Sequence, residues 1–103
     1  MPKLPLEVHP KATKEADEAF DYYCERNPEA ADRFLVELAK ARSAIQHAPE
    51  SWPQYMHGTR YYSLVRFPYL VVYHVTEDLI EVVAIAHAHR NTGYWIDRLF
   101  PAI

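Results

Sequence analysis

Cysteine, glycine and long apolar runs are all scarce in this chain, and each scarcity removes a class of protein. With Cys24 as the only thiol, no intrachain disulfide can form, and the composition suits a reducing cytosol. Its neighbours Phe20, Tyr22 and Tyr23 predict a semi-buried packing cysteine rather than a nucleophile. No stretch approaches the roughly 20 apolar residues that span a bilayer. Met1 to His9 also lacks the basic and apolar regions of a signal peptide, so a cytoplasmic protein with no membrane partner is expected. A net charge of −3 argues against broad, non-specific nucleic-acid binding, which draws its affinity from clustered Lys and Arg.

What is present is enough for one domain over residues 1–103, since half of the 103 residues are hydrophobic and can bury a core without staples. The charge is unevenly spread. Met1 to Glu50 carries seven basic and ten acidic residues, whereas Ser51 to Thr76 holds Arg60, Arg66, His57 and His74 and no carboxylate. A locally positive face is therefore compatible with an acidic protein, as is a scatter of surface residues on a neutral sheet.

Eight prolines punctuate the chain. Leu4 to Val8 reads as a short strand closed by Pro10. From about Ala12 the apolar residues Ala12, Ala16, Ala19, Phe20 and Tyr23 recur at helical spacing, while Glu15, Asp17, Glu18, Asp21 and Glu25 form an acidic face expected to be solvated. Asn27-Pro28 caps and restarts a helix whose stripe is Ala31, Phe34, Leu35, Leu38, Ala41 and Ile45, running to about His47. So short a joint predicts an antiparallel helical hairpin. After Trp52-Pro53 the pattern becomes strand-like: Arg60 to Phe67, a break at Pro68-Tyr69, Leu70 to Val75, a turn at Glu77-Asp78, and Ile80 to His87. The last strands are apolar at nearly every position, so both sheet faces should be covered. A short tail helix is expected near Trp95 to Leu99. The predicted order is β-α-α-β-β-β, an α+β domain with a helical hairpin packed on a mostly antiparallel twisted sheet.

Several strings within this order resemble the RelE/ParE toxin superfamily, also known as plasmid stabilisation proteins. His87-Ala88-His89-Arg90-Asn91-Thr92-Gly93-Tyr94-Trp95 is similar to the family's common ending of His-Gly-Arg-Arg followed by Tyr-Trp, and it comes after a last core strand, Glu81 to Ala86. Arg66-Phe67-Pro68-Tyr69-Leu70-Val71-Val72-Tyr73-His74-Val75 resembles the family hairpin, and Asn27-Pro28-Glu29-Ala30-Ala31 its helix joint. The likeness spans nearly the whole chain. It implies the toxin of a type II toxin–antitoxin module, with a cognate antitoxin as partner and growth inhibition as the outcome.

The same resemblance implies one of two activities. RelE-like members are metal-independent endoribonucleases that cut messenger RNA on the ribosome; ParE-like members act on DNA gyrase and have no known hydrolytic role. Cleavage through a 2′-hydroxyl needs a base, an acid and cations for the extra charge at phosphorus. Two cations expected of the ribonucleases are absent: Leu70 stands where they often carry Arg, and their Lys-rich strand is here Arg60 to Arg66. What remains is a catalytic set of Arg90, Tyr94, Arg66, His87 and His89, with His74 as a further proton carrier. Each has a plainer reading beside it. Arg90 could pair with Asp97, Tyr94 and Trp95 could anchor the tail, the histidines could be structural, and Arg66 could simply face solvent. The missing cations favour a ParE-like inhibitor over a nuclease, and a non-toxic antitoxin-binding relic is the third reading.

Other chemistry is weakly supported. His87 and His89 with His74 could resemble a metal set, but no Cys or clear carboxylate ligand accompanies them, so neither metal nor cofactor is assigned. A Ser63/His74/Asp78 triad lacks any glycine elbow. The resemblance also implies an antitoxin segment wrapped over the helices and sheet, with Tyr22, Tyr23, Phe34 and Trp52 as contacts. A homodimer is left open.

Overall fold

The computed structural model describes residues 3–90 and 92–99; Asn91 of the terminal string lies outside them. Strand β1 (Leu6–Val8) leads directly into helix α1 (Pro10–Arg26), which begins two residues earlier than its apolar spacing suggests. The reason is local: the His9 ring accepts the Lys11 amide through Nδ1 at 3.1 Å, and Pro10 fills a first-turn position that needs no N–H. Asn27, at φ −160°, ends α1 and starts α2 (Pro28–His47). Its N–H donates to Tyr23 O at 2.7 Å, while its side-chain oxygen accepts from the amides of Glu29 and Ala30. One residue thus serves both helix ends.

The remaining strands are β2 (Arg60–Ser63), β3 (Tyr69–Val75) and β4 (Ile80–His87), arranged in one sheet of order β1-β4-β3-β2. β2 to β4 form the antiparallel meander, and β1 joins β4 in parallel as Leu6↔Ile80 to Val8↔Val82. β2 stops at Ser63, not Phe67. Arg66 adopts a left-handed φ of 69°, which no strand residue can hold, and the Leu64 amide closes the resulting turn on Tyr69 O at 3.0 Å. The short tail helix expected near Trp95 to Leu99 is a single 3-10 turn, Ile96–Arg98.

Both faces of the sheet are covered, as the apolar strands require. On one side the hairpin buries Ala12, Ala19, Phe34, Ala41 and Ile45 against Val71, Tyr73, Ile80, Val82 and Ile85. Phe34 is fully enclosed and stacks edge-on with Phe67, 5.3 Å between centroids. On the other side Trp95 covers Val72, Val83, Ala84 and Ala86, helped by Tyr55, Met56, Tyr61 and Leu99. Cys24 is exposed, which corrects the expectation of a packing thiol: it follows Tyr23 around the helix and falls off the buried stripe. No helix of the described residues is long and apolar enough to cross a membrane.

Candidate functional site

β1 ends at Val8, five residues short of the end of β4, and this leaves the later part of β4 without a neighbouring strand. A register shift between Val72 and Tyr73 sets which groups face that edge. Ala88 N–H donates back toward the β3 side, to Pro68 O at 2.8 Å, so the odd residues Val83, Ile85 and His87 turn their backbone groups outward. Side chains take the place of the absent strand. Glu15 Oε1 accepts the Ile85 amide at 3.0 Å, and Arg98 Nη1 donates to Val83 O at 2.8 Å.

Glu15 and Arg98 also bind each other twice, Nη1 to Oε1 and Nη2 to Oε2, both at 3.0 Å, and Tyr94 Oη donates to Glu15 Oε2 at 2.7 Å. A single carboxylate therefore receives four donors from β4 and the tail. Such convergence stabilises a charge that is largely withdrawn from water. It holds the segment after β4 against α1. Glu15 departs from the solvated acidic face expected for it, with its side chain 19% exposed, and the sequence carried a signal: it lies three residues after Ala12 and four before Ala19, on the rim of the inward stripe.

Beside this hub opens a cleft of about 630 Å³, walled by Glu15, Glu18, Tyr22 and Tyr23 of α1, by Pro68 and Tyr69, and by Ile85, His87, Arg90 and Tyr94. Three of the five expected catalytic residues, Arg90, Tyr94 and His87, meet there, together with Tyr22 and Tyr23 from the expected antitoxin contacts. His89 stands just outside, its ring 5.8 Å from that of His87 and its amide donating to His87 Nδ1 at 3.2 Å. Arg66 is elsewhere, in a depression beside α2 that shares no residue with the cleft. Of the other expected contacts, Phe34 is sealed in the core, so its ring is not offered to a partner in this state. Trp52 is half-buried, with Nε1 donating to Ala44 O at 3.1 Å.

The electrostatics of the cleft follow from these neighbours. Burial, then the hydrogen bond to Glu15, drives the Tyr94 phenol well above its ordinary range, so it stays protonated and donating. Burial, then the charges of Arg90 and His89, lowers the His87 imidazole, which is therefore neutral near pH 7. The Tyr69 phenol is raised by burial and pulled back by Arg90. Arg90 itself is exposed and forms no ion pair with Asp97 among the described residues. His74 is far from this group: it pairs with Glu81 at 3.0 Å, and the register places it six strand residues from His87, about 20 Å along β4. The three histidines cannot share one ligand.

A helical hairpin on a short parallel edge strand and an antiparallel meander, with a tail stitched back onto the first helix, defines a toxin fold of the RelE/ParE type. The family model described as the ParE toxin of the type II toxin–antitoxin system, parDE, matches residues 6–92, and the chain belongs to that family. It is 30% identical over 87 residues to Toxin ParE2 of Mycobacterium tuberculosis, covering 84% of this chain and 83% of the relative. It is also 30% identical over 82 residues to the putative toxin Y4kP of Sinorhizobium fredii, covering 79% of this chain and 84% of that protein. A chain from the chromosomal ParDE toxin–antitoxin system of P. aeruginosa shares the fold, with a TM-score of 0.74 at 21% identity over 84% of this chain and 98% of that one. The protein is thus a ParE-like toxin of a type II toxin–antitoxin system, and its partner is an antitoxin.

Proposed function

We propose that the toxin acts by binding a protein target, of which DNA gyrase is the candidate, and that the cleft is the face through which it is both active and restrained. The single observation that carries this reading is the balance of charge in the cleft. Among the described residues that line it, Arg90 is the one cation and Glu15 and Glu18 are carboxylates, while Arg98 is already paired with Glu15. A cleaving site would need several cations around a phosphate gaining charge, and carboxylates on the opposite wall would repel it. The proton carriers also fit poorly: Tyr94 is committed to Glu15, and the Nδ1 of neutral His87 accepts the His89 amide.

The cleft suits recognition of a protein segment. Tyr22, Tyr23 and Tyr69 offer flat apolar rings, Arg90 offers a guanidinium that forms no ion pair among the described residues, and Tyr22 is half-exposed beneath Arg26, whose guanidinium lies 3.8 Å from its ring centre. We assign Tyr22 and Tyr23 to antitoxin contact, Arg90, His87 and Tyr94 to the active face, and the cytoplasm as the place of action, with the whole chain working as one domain. Purified toxin added to gyrase supercoiling reactions should inhibit them, with relief by the antitoxin and an approximately tenfold weaker effect for Arg90→Ala, the loss expected of one charge-assisted contact. Messages cut within codons on ribosomes, with gyrase untouched, would overturn the proposal in favour of nuclease action.

A further inference from the structure

The helical hairpin does not fill the space it covers. Ala12, Thr13 and Ala16 of α1 and Ala39 of α2 are too small to close the gap over the sheet, and a cavity of about 260 Å³ remains. Packed interiors hold few voids much larger than a water molecule. The floor is made by Leu6, Ala12, Val71, Val82 and Ile85, all buried, and the mouth by Val8, Thr13, Ala39 and Arg42, all exposed. A path therefore leads from solvent to apolar side chains of the core.

Arg42 is the one charged residue among the described residues that line this cavity, so no carboxylate there repels an anion. Its Nη2 donates to Leu6 O at 3.3 Å, which holds the guanidinium beside β1, and it forms no ion pair among the described residues. An apolar pocket with one unpaired cation at its rim is complementary to an amphiphilic anion, whose chain leaves water while its head group gains a charge-assisted contact. We propose that the cavity binds a free, straight-chain, medium-length carboxylic acid, with its chain on Val71, Val82 and Ile85 and its carboxylate on Arg42. At roughly 30 Å³ per non-hydrogen atom the volume admits about nine such atoms, roughly an eight-carbon acid with its head group at the mouth. The shape argues for a small guest over a docked protein segment. Of the large hydrophobic side chains that the described residues expose, only Val8 borders the cavity, so the apolar surface on offer lies inward, where a helix or strand cannot follow. The cavity meets the cleft only at Ile85, and the proposal rests on none of the charged groups there.

The test is an amide and methyl NMR titration of the full chain with sodium octanoate, alongside butyrate and octan-1-ol. Saturable shifts should centre on Val8, Ala16, Ala39 and Val82, with a dissociation constant of about 0.1–1 mM, as suits a ligand of this size. Each methylene removed should weaken binding about fourfold, so butyrate should not saturate in that range. Octan-1-ol should bind about tenfold more weakly than octanoate, and Arg42→Met should cost octanoate a similar factor while leaving the alcohol unaffected. Ala39→Leu, at an exposed helical position, narrows the mouth and should weaken both ligands about tenfold or more. Equal affinity for acid and alcohol, shifts that grow without saturating, or shifts centred on Tyr22, Tyr69 and Arg90 of the cleft would overturn the proposal. So would a lack of octanoate response at the cavity residues; if the antitoxin moves them instead, the surface is a protein contact.

Discussion

Replacing Arg98 by methionine keeps most of the side chain's volume and removes its charge, which isolates the ion pair that holds the tail on α1. The arginine makes two bonds to Glu15 and one to Val83 O, and the two side chains are 11% and 19% exposed. Breaking a well-buried pair by removing one partner costs about 3–5 kcal/mol, because the other charge is stranded. Here Glu15 keeps the donors of Tyr94 and Ile85 and some contact with water, so a loss of about 2–3 kcal/mol is expected. For a chain of this size that corresponds to a Tm lower by roughly 10 °C or more. Urea unfolding at pH 7, followed by the fluorescence of buried Trp95, measures it directly. A double-mutant cycle with Glu15→Gln should return a coupling of about 2 kcal/mol that survives molar salt. A loss under about 0.5 kcal/mol, or a coupling abolished by salt, would mean that the contact behaves as an ordinary surface pair and that the reasoning is wrong.

Three further outcomes follow from the same contacts. The Tyr73 hydroxyl is enclosed, donates to Pro49 O at 2.6 Å, and has its pKa pushed up to about 12 by burial. A phenol raised in the folded state lends stability that is complete below pH 10 and lost as pH climbs through 12, about 3 kcal/mol in all, and Tyr73→Phe should flatten that alkaline decline in unfolding experiments even though Tyr94 adds to it with the same sign. Phe34→Ala should cost about 3–5 kcal/mol with or without antitoxin present, as expected for a sealed core ring rather than a partner contact. Cys24 should react stoichiometrically with a thiol reagent in native buffer, and Cys24→Ser should change the unfolding midpoint by less than about 0.5 kcal/mol equivalent.

Much of the architecture was legible because it rests on short-range rules. The Asn27-Pro28 joint, the helical stripes and the β4 limits of Ile80 and His87 all follow from spacing, capping and β-propensity, which act within a few residues. The errors fell where the chain makes a choice that spacing does not encode. β2 stops early because Arg66 turns left-handed, and Cys24 is exposed because one step around a helix moves a side chain off the buried face.

The candidate site divides in the same way. The amino-acid order alone determined the element sequence, the paucity of cations, and the presence of Arg90 and the Tyr94-Trp95 pair after the last strand, because these depend on composition and local pattern. Only the tertiary structure decided that Glu15 and Arg98, 83 residues apart, share one buried contact, that His74 lies remote from His87, and that Arg66 belongs to a different surface. The physical reason is that these relations are set by sheet register and by where β1 ends. Both are products of long-range packing, in which a shift of a single residue exchanges one face of a strand for the other.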